Sequence, residues 1–206
     1  MKRILLFGML FILSQAIHAQ TALFQANRTE GCAPFVVDFT DLSTNSPVGW
    51  TWDFGDGSSP SHLQNPSKTF FNGGIYTIKL TVIYSDSSTR DTTFSQYIKV
   101  STGPVISFSG TPDSVCPGEI VRFKEQISSN FGVQSIVWDF KDGMVSTQSS
   151  PSHSFANSGR YRVTLKVTDT LGCTTTDSVS QSIYVKPKPK AAFSANDSIY
   201  CIENLQ

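Results

Sequence analysis

Two pairs of aspartates stand three residues apart, Asp53 with Asp56 and Asp139 with Asp142, and both pairs lie in the same short phrase. It runs Trp52-Asp53-Phe54-Gly55-Asp56-Gly57 and returns as Trp138-Asp139-Phe140-Lys141-Asp142-Gly143. Clustered carboxylates attract hard cations, so Asp53 and Asp56 are the candidates for a calcium site. Two carboxylates fall short of the roughly six to eight oxygens that calcium takes. Lys141 also sets a positive charge beside the second pair. The other chemistry open to these residues is structural. Asp-Gly turns the chain, and the preceding aspartate accepts backbone N–H groups nearby. The sequence favours that role, with no metal and no cofactor expected.

Other reactive side chains are few. Beyond the first 19 residues the histidines are His62 and His153. Neither sits in a repeated pattern with Ser, Cys or Asp that would make a nucleophile, and both read as solvated loop residues. No catalytic residue is assigned, and a non-enzymatic chain is expected. Four cysteines are present. Cys32, Cys116 and Cys201 each follow a phenylalanine (Phe24, Phe108, Phe193) by the same spacing, whereas Cys173 stands where the first copy has Ser88. Trp50, whose counterpart is Ile136, could stack on sugar or protein if exposed, but alternation places it with Trp52 toward a core.

The chain begins with Lys2-Arg3, an apolar run from Ile4 to Leu13 and a short region ending Ala16-Ile17-His18-Ala19. That is the layout of a secretory signal peptide over residues 1–19, with cleavage after Ala19 first and after Ala16 second. The apolar run is shorter than the roughly 20 residues of a membrane-spanning helix. No later segment reads as a span, so a secreted or cell-surface location is expected. Export permits disulfides. Lys and Arg together number 16 and Asp and Glu also 16. Without a basic excess, nucleic acid is not an expected partner.

The elements that must position the repeated phrase alternate with a period of two. Trp50, Trp52 and Phe54 share one face, as do Ile136, Trp138 and Phe140. Tyr76, Ile78, Leu80 and Val82 repeat as Tyr161, Val163, Leu165 and Val167. Short strands, frequent turn residues, a buried Trp and a Gly-x-Tyr lead into a late strand predict an all-β chain of tandem immunoglobulin-like sandwiches. The expected modules span 22–100 and 104–186, with a Pro/Lys linker over 187–190. Residues 191–206 read as the start of a third, truncated module.

Trp-Asp-Phe-x-Asp-Gly, a later Pro-Ser-x-x-Phe (Pro66 to Phe70, Pro151 to Phe155) and Gly-x-Tyr-x-Ile/Val-x-Leu-x-Val occur in that order in both copies. In these motifs the chain resembles the PKD (polycystic kidney disease) domain family. The resemblance implies PKD-type β-sandwiches that serve as extracellular spacers or contact proteins and polysaccharide, commonly within secreted hydrolases, adhesins and surface-layer proteins. The tandem copies look most like large bacterial surface proteins. Trp52, Asp53, Phe54, Asp56, Gly57 and Tyr76, with Trp138, Asp139, Phe140, Asp142, Gly143 and Tyr161, are the structural motif residues. Lys141 departs from the pattern at the Gly55 position; if the family needs a positive φ there, the second module must turn differently.

Sandwich topology then bears on the cysteines. Cys116–Cys173 would close one module on itself, but the A–B and F–G loops lie at opposite ends of a strand some 23 Å long. A disulfide needs Cα atoms within about 7 Å. In a head-to-tail array the A–B end of one module faces the F–G end of the next, which would pair Cys32 with Cys173. Cys116 and Cys201 would then await later modules. An inter-module bond, the intramodule bond and free thiols all stay open. The expected partners are neighbouring modules, surface proteins or polysaccharide. The rival functions are an accessory region of a secreted protease or glycanase, and a carbohydrate-binding module.

Overall fold

A computed structural model describes residues 19–178 and 182–189. The signal-peptide segment up to His18 and the expected third module, with Cys201, lie outside the described residues. Every regular element among the described residues is a strand.

The first unit contains β1 (Phe24–Ala26), β2 (Glu30–Cys32), β3 (Phe35–Asp41), β4 (Gly49–Asp53), β5 (Ser67–Phe70), β6 (Gly74–Ile83) and β7 (Thr89–Ser101). Two sheets form, in the orders β1-β3-β5 and β2-β7-β6-β4. Alternation explains them: in β3, Phe35, Val37 and Phe39 are buried while Val36, Asp38 and Thr40 face water. Trp52 sits fully buried between the sheets, with Phe24, Phe39, Phe54, Ile78, Leu80 and Val82 around it. Each such side chain contributes roughly 1.5–3 kcal/mol of burial.

The second unit repeats the plan with β8 (Val105–Thr111), β9 (Ser114–Val115), β10 (Ile120–Ser128), β11 (Val133–Asp139), β12 (Val145–Ser146), β13 (Ser152–Ser154), β14 (Gly159–Tyr161), β15 (Thr164–Asp169), β16 (Thr174–Ser178) and β17 (Ile183–Val185). Its core centres on Trp138 with Val121, Phe123, Phe140, Phe155, Leu165 and Val167. The long β6 of the first unit is represented here by two shorter strands, β14 and β15.

The connectivity positions the cysteines. The chain leaves the first sheet after β1 and joins the second as β2, pairing parallel to β7 with Cys32 opposite Ser101. The A–B cysteine of the first unit therefore stands beside the point where the chain leaves for the second.

The repeated loop and the joint between units

Each aspartate of the repeated phrase is consumed locally. Asp53 Oδ1 accepts the Gly55 N–H at 2.9 Å. Asp56 Oδ1 accepts the N–H and hydroxyl of Ser58 at 3.1 and 2.6 Å, and its Oδ2 pairs with Lys68 Nζ at 2.7 Å. In the second copy Asp139 Oδ1 accepts the Lys141 N–H at 2.8 Å and Asp142 Oδ1 that of Met144 at 3.1 Å. These are Asx-type turns, in which the carboxylate satisfies the backbone two residues on. Burial pushes the Asp56 carboxyl up, but hydrogen bonds from Lys68 and Ser58 and the Lys68 charge outweigh it and hold it below the ordinary value. Hydrogen bonds from Lys141, more than its charge, do the same for Asp139. Among the described residues no three acidic, His or Cys groups converge as a metal cluster.

The aromatic residues of the phrase complete the hairpin. Trp52 Nε1–H donates to the Leu63 carbonyl and Trp138 Nε1–H to that of Gln148, both at 2.9 Å, so each buried indole is satisfied. The Tyr76 and Tyr161 hydroxyls each donate to a carbonyl four residues upstream, Asn72 and Asn157, at 2.8 Å. Burial, with the Asp56 charge behind it, raises the Tyr76 phenol and keeps it a donor. Gly57 and Gly143 take positive φ, 75° and 95°.

Two expectations need correction, and the place of Trp50 is refined. Lys141 has φ 64°, close to the 68° of Gly55, so the second unit turns the same way despite carrying a side chain. His153 is no solvated loop residue. It lies on β13 with its ring stacked on Phe140 at 4.0 Å and its Nε2 2.6 Å from Asp142 Oδ2. It occupies the place of Lys68, whose Nζ lies 5.2 Å from the Phe54 ring centroid. An imidazole combines an apolar face with a polar tip, and that combination fits a half-covered edge. Trp50 is only partly buried, packing on the first core while its Nε1–H donates to Asp41 Oδ2 at 2.7 Å. His62 stays exposed, its Nδ1 3.0 Å from the Trp50 carbonyl oxygen.

The second locus is the joint. Cys32 and Cys173 are disulfide-bonded, their Cα atoms 5.5 Å apart. Cys116 is itself disulfide-bonded and does not pair with Cys173. Cys173 lies in the turn between β15 and β16. Asp169, fully buried, shapes that turn: its Oδ1 accepts the N–H groups of Leu171 and Cys173 at 3.0 and 2.9 Å. Its Oδ2 accepts the hydroxyl of Ser101, from the end of the first unit. Ser101 Oγ in turn accepts the Gly103 N–H at 2.9 Å. The Thr170 hydroxyl ties the same turn to the Phe131 carbonyl. Sequence reasoning passed over Asp169 and Ser101. The available signal was a carboxylate in an apolar series, Leu165, Val167, Asp169.

Comparison with known proteins places these features in a family. A profile described as PKD domain matches residues 18–100 and 101–185. A microbial collagenase of Vibrio alginolyticus is 43% identical over 61 residues, covering 29% of this chain and 8% of its own length. The chain therefore spans less than a tenth of that relative. Among solved structures, the PKD1 domain of Vibrio cholerae metalloprotease PrtV shows 34% identity and a TM-score of 0.35, covering 40% of this chain and 96% of its own. The PKD1 domain of Vibrio anguillarum Epp gives 30% identity and a TM-score of 0.36, with coverages of 42% and 99%.

Proposed function

Since the chain belongs to the PKD domain family, we propose that its two units, expected at 22–100 and 104–186, are non-catalytic spacer and interaction modules of a larger exported protein. The leader-like segment and the disulfides agree with a secreted or cell-surface location. The observation that carries the spacer reading is the joint. A covalent bond and a buried hydrogen bond cross from one unit to the next, so the modules hold a fixed mutual orientation. A spacer that projects other parts of a protein needs that stiffness, whereas independently recruited binding domains work on loose tethers. The carboxylates that were the metal candidates are engaged in turns and with Lys68, Lys141 and His153.

Small-angle X-ray scattering of the full chain tests the reading. With the disulfides intact, the two-unit portion should fit one inter-module arrangement. The Cys32→Ser/Cys173→Ser double variant should give a broader distribution of module separations. A loose ensemble in the oxidised chain would remove the spacer role.

A second reading is that the modules are accessory parts of a secreted hydrolase. The stretch shared with the collagenase favours it. A catalytic motif elsewhere in the full reading frame would decide for it. Contact with surface proteins or polysaccharide is a further part of the proposal, and uniform absence of binding on a glycan array would remove the carbohydrate component.

A further inference from the structure

The disulfide is not the whole of the joint, and the residues around it suggest how it is made. Asp169 presents its two carboxylate oxygens to different units. Oδ1 serves its own turn through Leu171 and Cys173, while among the described residues Oδ2 accepts from Ser101 of the preceding unit. Asp169 is fully buried and Ser101 is 5% exposed. A carboxylate oxygen so placed without a donor would carry a desolvation penalty. Its hydroxyl partner arrives only when the first unit seats against the turn. The seated position also brings Cys32 to Cys173, because Cys32 pairs with Ser101 across β2 and β7 and Cys173 lies four residues beyond Asp169. The corresponding turn of the first unit has Tyr84 for Asp169 and Ser88 for Cys173. There Tyr84 donates to the Thr21 carbonyl at 3.2 Å and Ser88 to Gln20 Oε1 at 2.8 Å. The segment leading into β1 covers that turn, and neither a carboxylate nor a cysteine faces outward from those two positions.

We propose that the turn from Asp169 to Cys173 is a docking socket for the end of a preceding module, and that the Ser101–Asp169 hydrogen bond is its positioning contact. The contact forms between the reduced units, holds the two thiols together and so favours their oxidation. Cys32 and Cys173 lose one hydrogen each and join their sulfurs. A small-molecule disulfide such as oxidised glutathione takes the two electrons and protons and leaves as two thiols. Linkage makes the effect mutual: whatever the contact adds to disulfide formation, the disulfide adds to the contact. The inference rests on the spacer reading, since it concerns how the fixed joint is built.

The test is to equilibrate the full chain in glutathione buffers of graded ratio, quench with acid, and follow the Cys32–Cys173 peptide by mass spectrometry. Following that one peptide keeps the bond at Cys116 out of the measurement. Ser101→Ala should lower the equilibrium constant for this bond about tenfold, as expected for loss of a hydrogen bond to a charged group. Asp169→Asn keeps the turn acceptor but cannot accept the Ser101 hydroxyl at the amide nitrogen, and it should lower the constant similarly. The two changes together should fall no further than the worse of them. A constant within twofold of the parent in both single variants would overturn the proposal, as would strictly additive losses. Melting of Ser101→Ala in a Cys32→Ser/Cys173→Ser background separates general destabilisation from positioning, because an unfolding defect would appear there while leaving the glutathione equilibrium unmoved. If scattering shows a fixed joint while the glutathione constant ignores Ser101, the spacer reading survives and this inference does not.

Discussion

Gly55 and Lys141 occupy the same place in the two copies of the repeated loop, with φ values of 68° and 64°. In the first unit a Cβ added at Gly55 would stand 2.5 Å from the Thr77 carbonyl oxygen. The second unit does carry a side chain there. The counterpart of Thr77 is Arg162, and at Arg162 and Val163 the strand is interrupted, so that β6 of the first unit becomes β14 and β15 of the second. The left-handed turn is thus imposed by the hairpin around it, with Asp53 or Asp139 accepting the N–H at that position in either case. What differs is the neighbouring strand: β6 runs on through Thr77, with an irregular register to β7 between Tyr76 and Ile78, whereas β14 and β15 are separate elements on either side of Arg162 and Val163.

Exchanging the two residues breaks this comparison most sharply. Gly55→Lys puts a side chain into a left-handed conformation and against the Thr77 carbonyl oxygen. The first unit should lose about 2 kcal/mol or more, read as a lower urea midpoint for its unfolding. A loss below about 0.5 kcal/mol would mean that the backbone at Thr77 gives way at little cost.

The reverse change, Lys141→Gly, should act in the opposite direction and more weakly. Relief of left-handed strain favours glycine by roughly 1–2 kcal/mol. The greater freedom of glycine in the unfolded chain takes back about 0.5–1 kcal/mol. The Lys141–Asp139 pair, nearly half exposed on both sides, adds only a few tenths. A net gain of less than about 1 kcal/mol is expected from these opposing effects.

The two loops also mark where sequence reasoning reaches and where it stops. The core was legible because strand alternation is a one-dimensional signal: Trp52, Leu80, Trp138 and Leu165 are all fully buried where the period of two puts them. The Gly-x-Tyr motif placed Tyr76 and Tyr161 at the entry to a late strand, but their hydroxyl bonds to the Asn72 and Asn157 carbonyls came only with the structure. The conformation of Lys141 was not, because a residue's intrinsic preference is weak against a closed hairpin. His153 was misread as solvated because the partners that cover it, Phe140 and Asp142, belong to the loop after β11 and meet β13 only in the folded sandwich. Topology narrowed the cysteine pairing to a short set of alternatives, and the structure joins Cys32 to Cys173. The hydrogen bond beside that bond joins residues 68 positions apart in different units, which periodicity within one unit cannot register.

The smallest expected effect distinguishes the two ways the loops hold their second aspartate. Lys68 reaches both Asp56 and the face of Phe54, whereas His153 stacks flat on Phe140 as it meets Asp142. The Asp56 carboxyl sits below its ordinary value, so its folded form binds protons less readily than the unfolded chain does. Its contribution to stability is then complete above the unfolded carboxylate value of about 4. It is lost as pH falls through the lower folded value. Lys68→Met removes the ion pair and keeps an apolar stem over Phe54. It should cost the first unit up to about 1 kcal/mol near neutral pH, as a partly exposed pair does. Denaturation of parent and variant should converge in acid once Asp56 is protonated in both states. A gap that persists undiminished to about pH 2, below the ordinary carboxylate range, would assign the contribution of Lys68 to its cation–π contact with Phe54. The first loop would then be held chiefly by what lies on its aromatic ring.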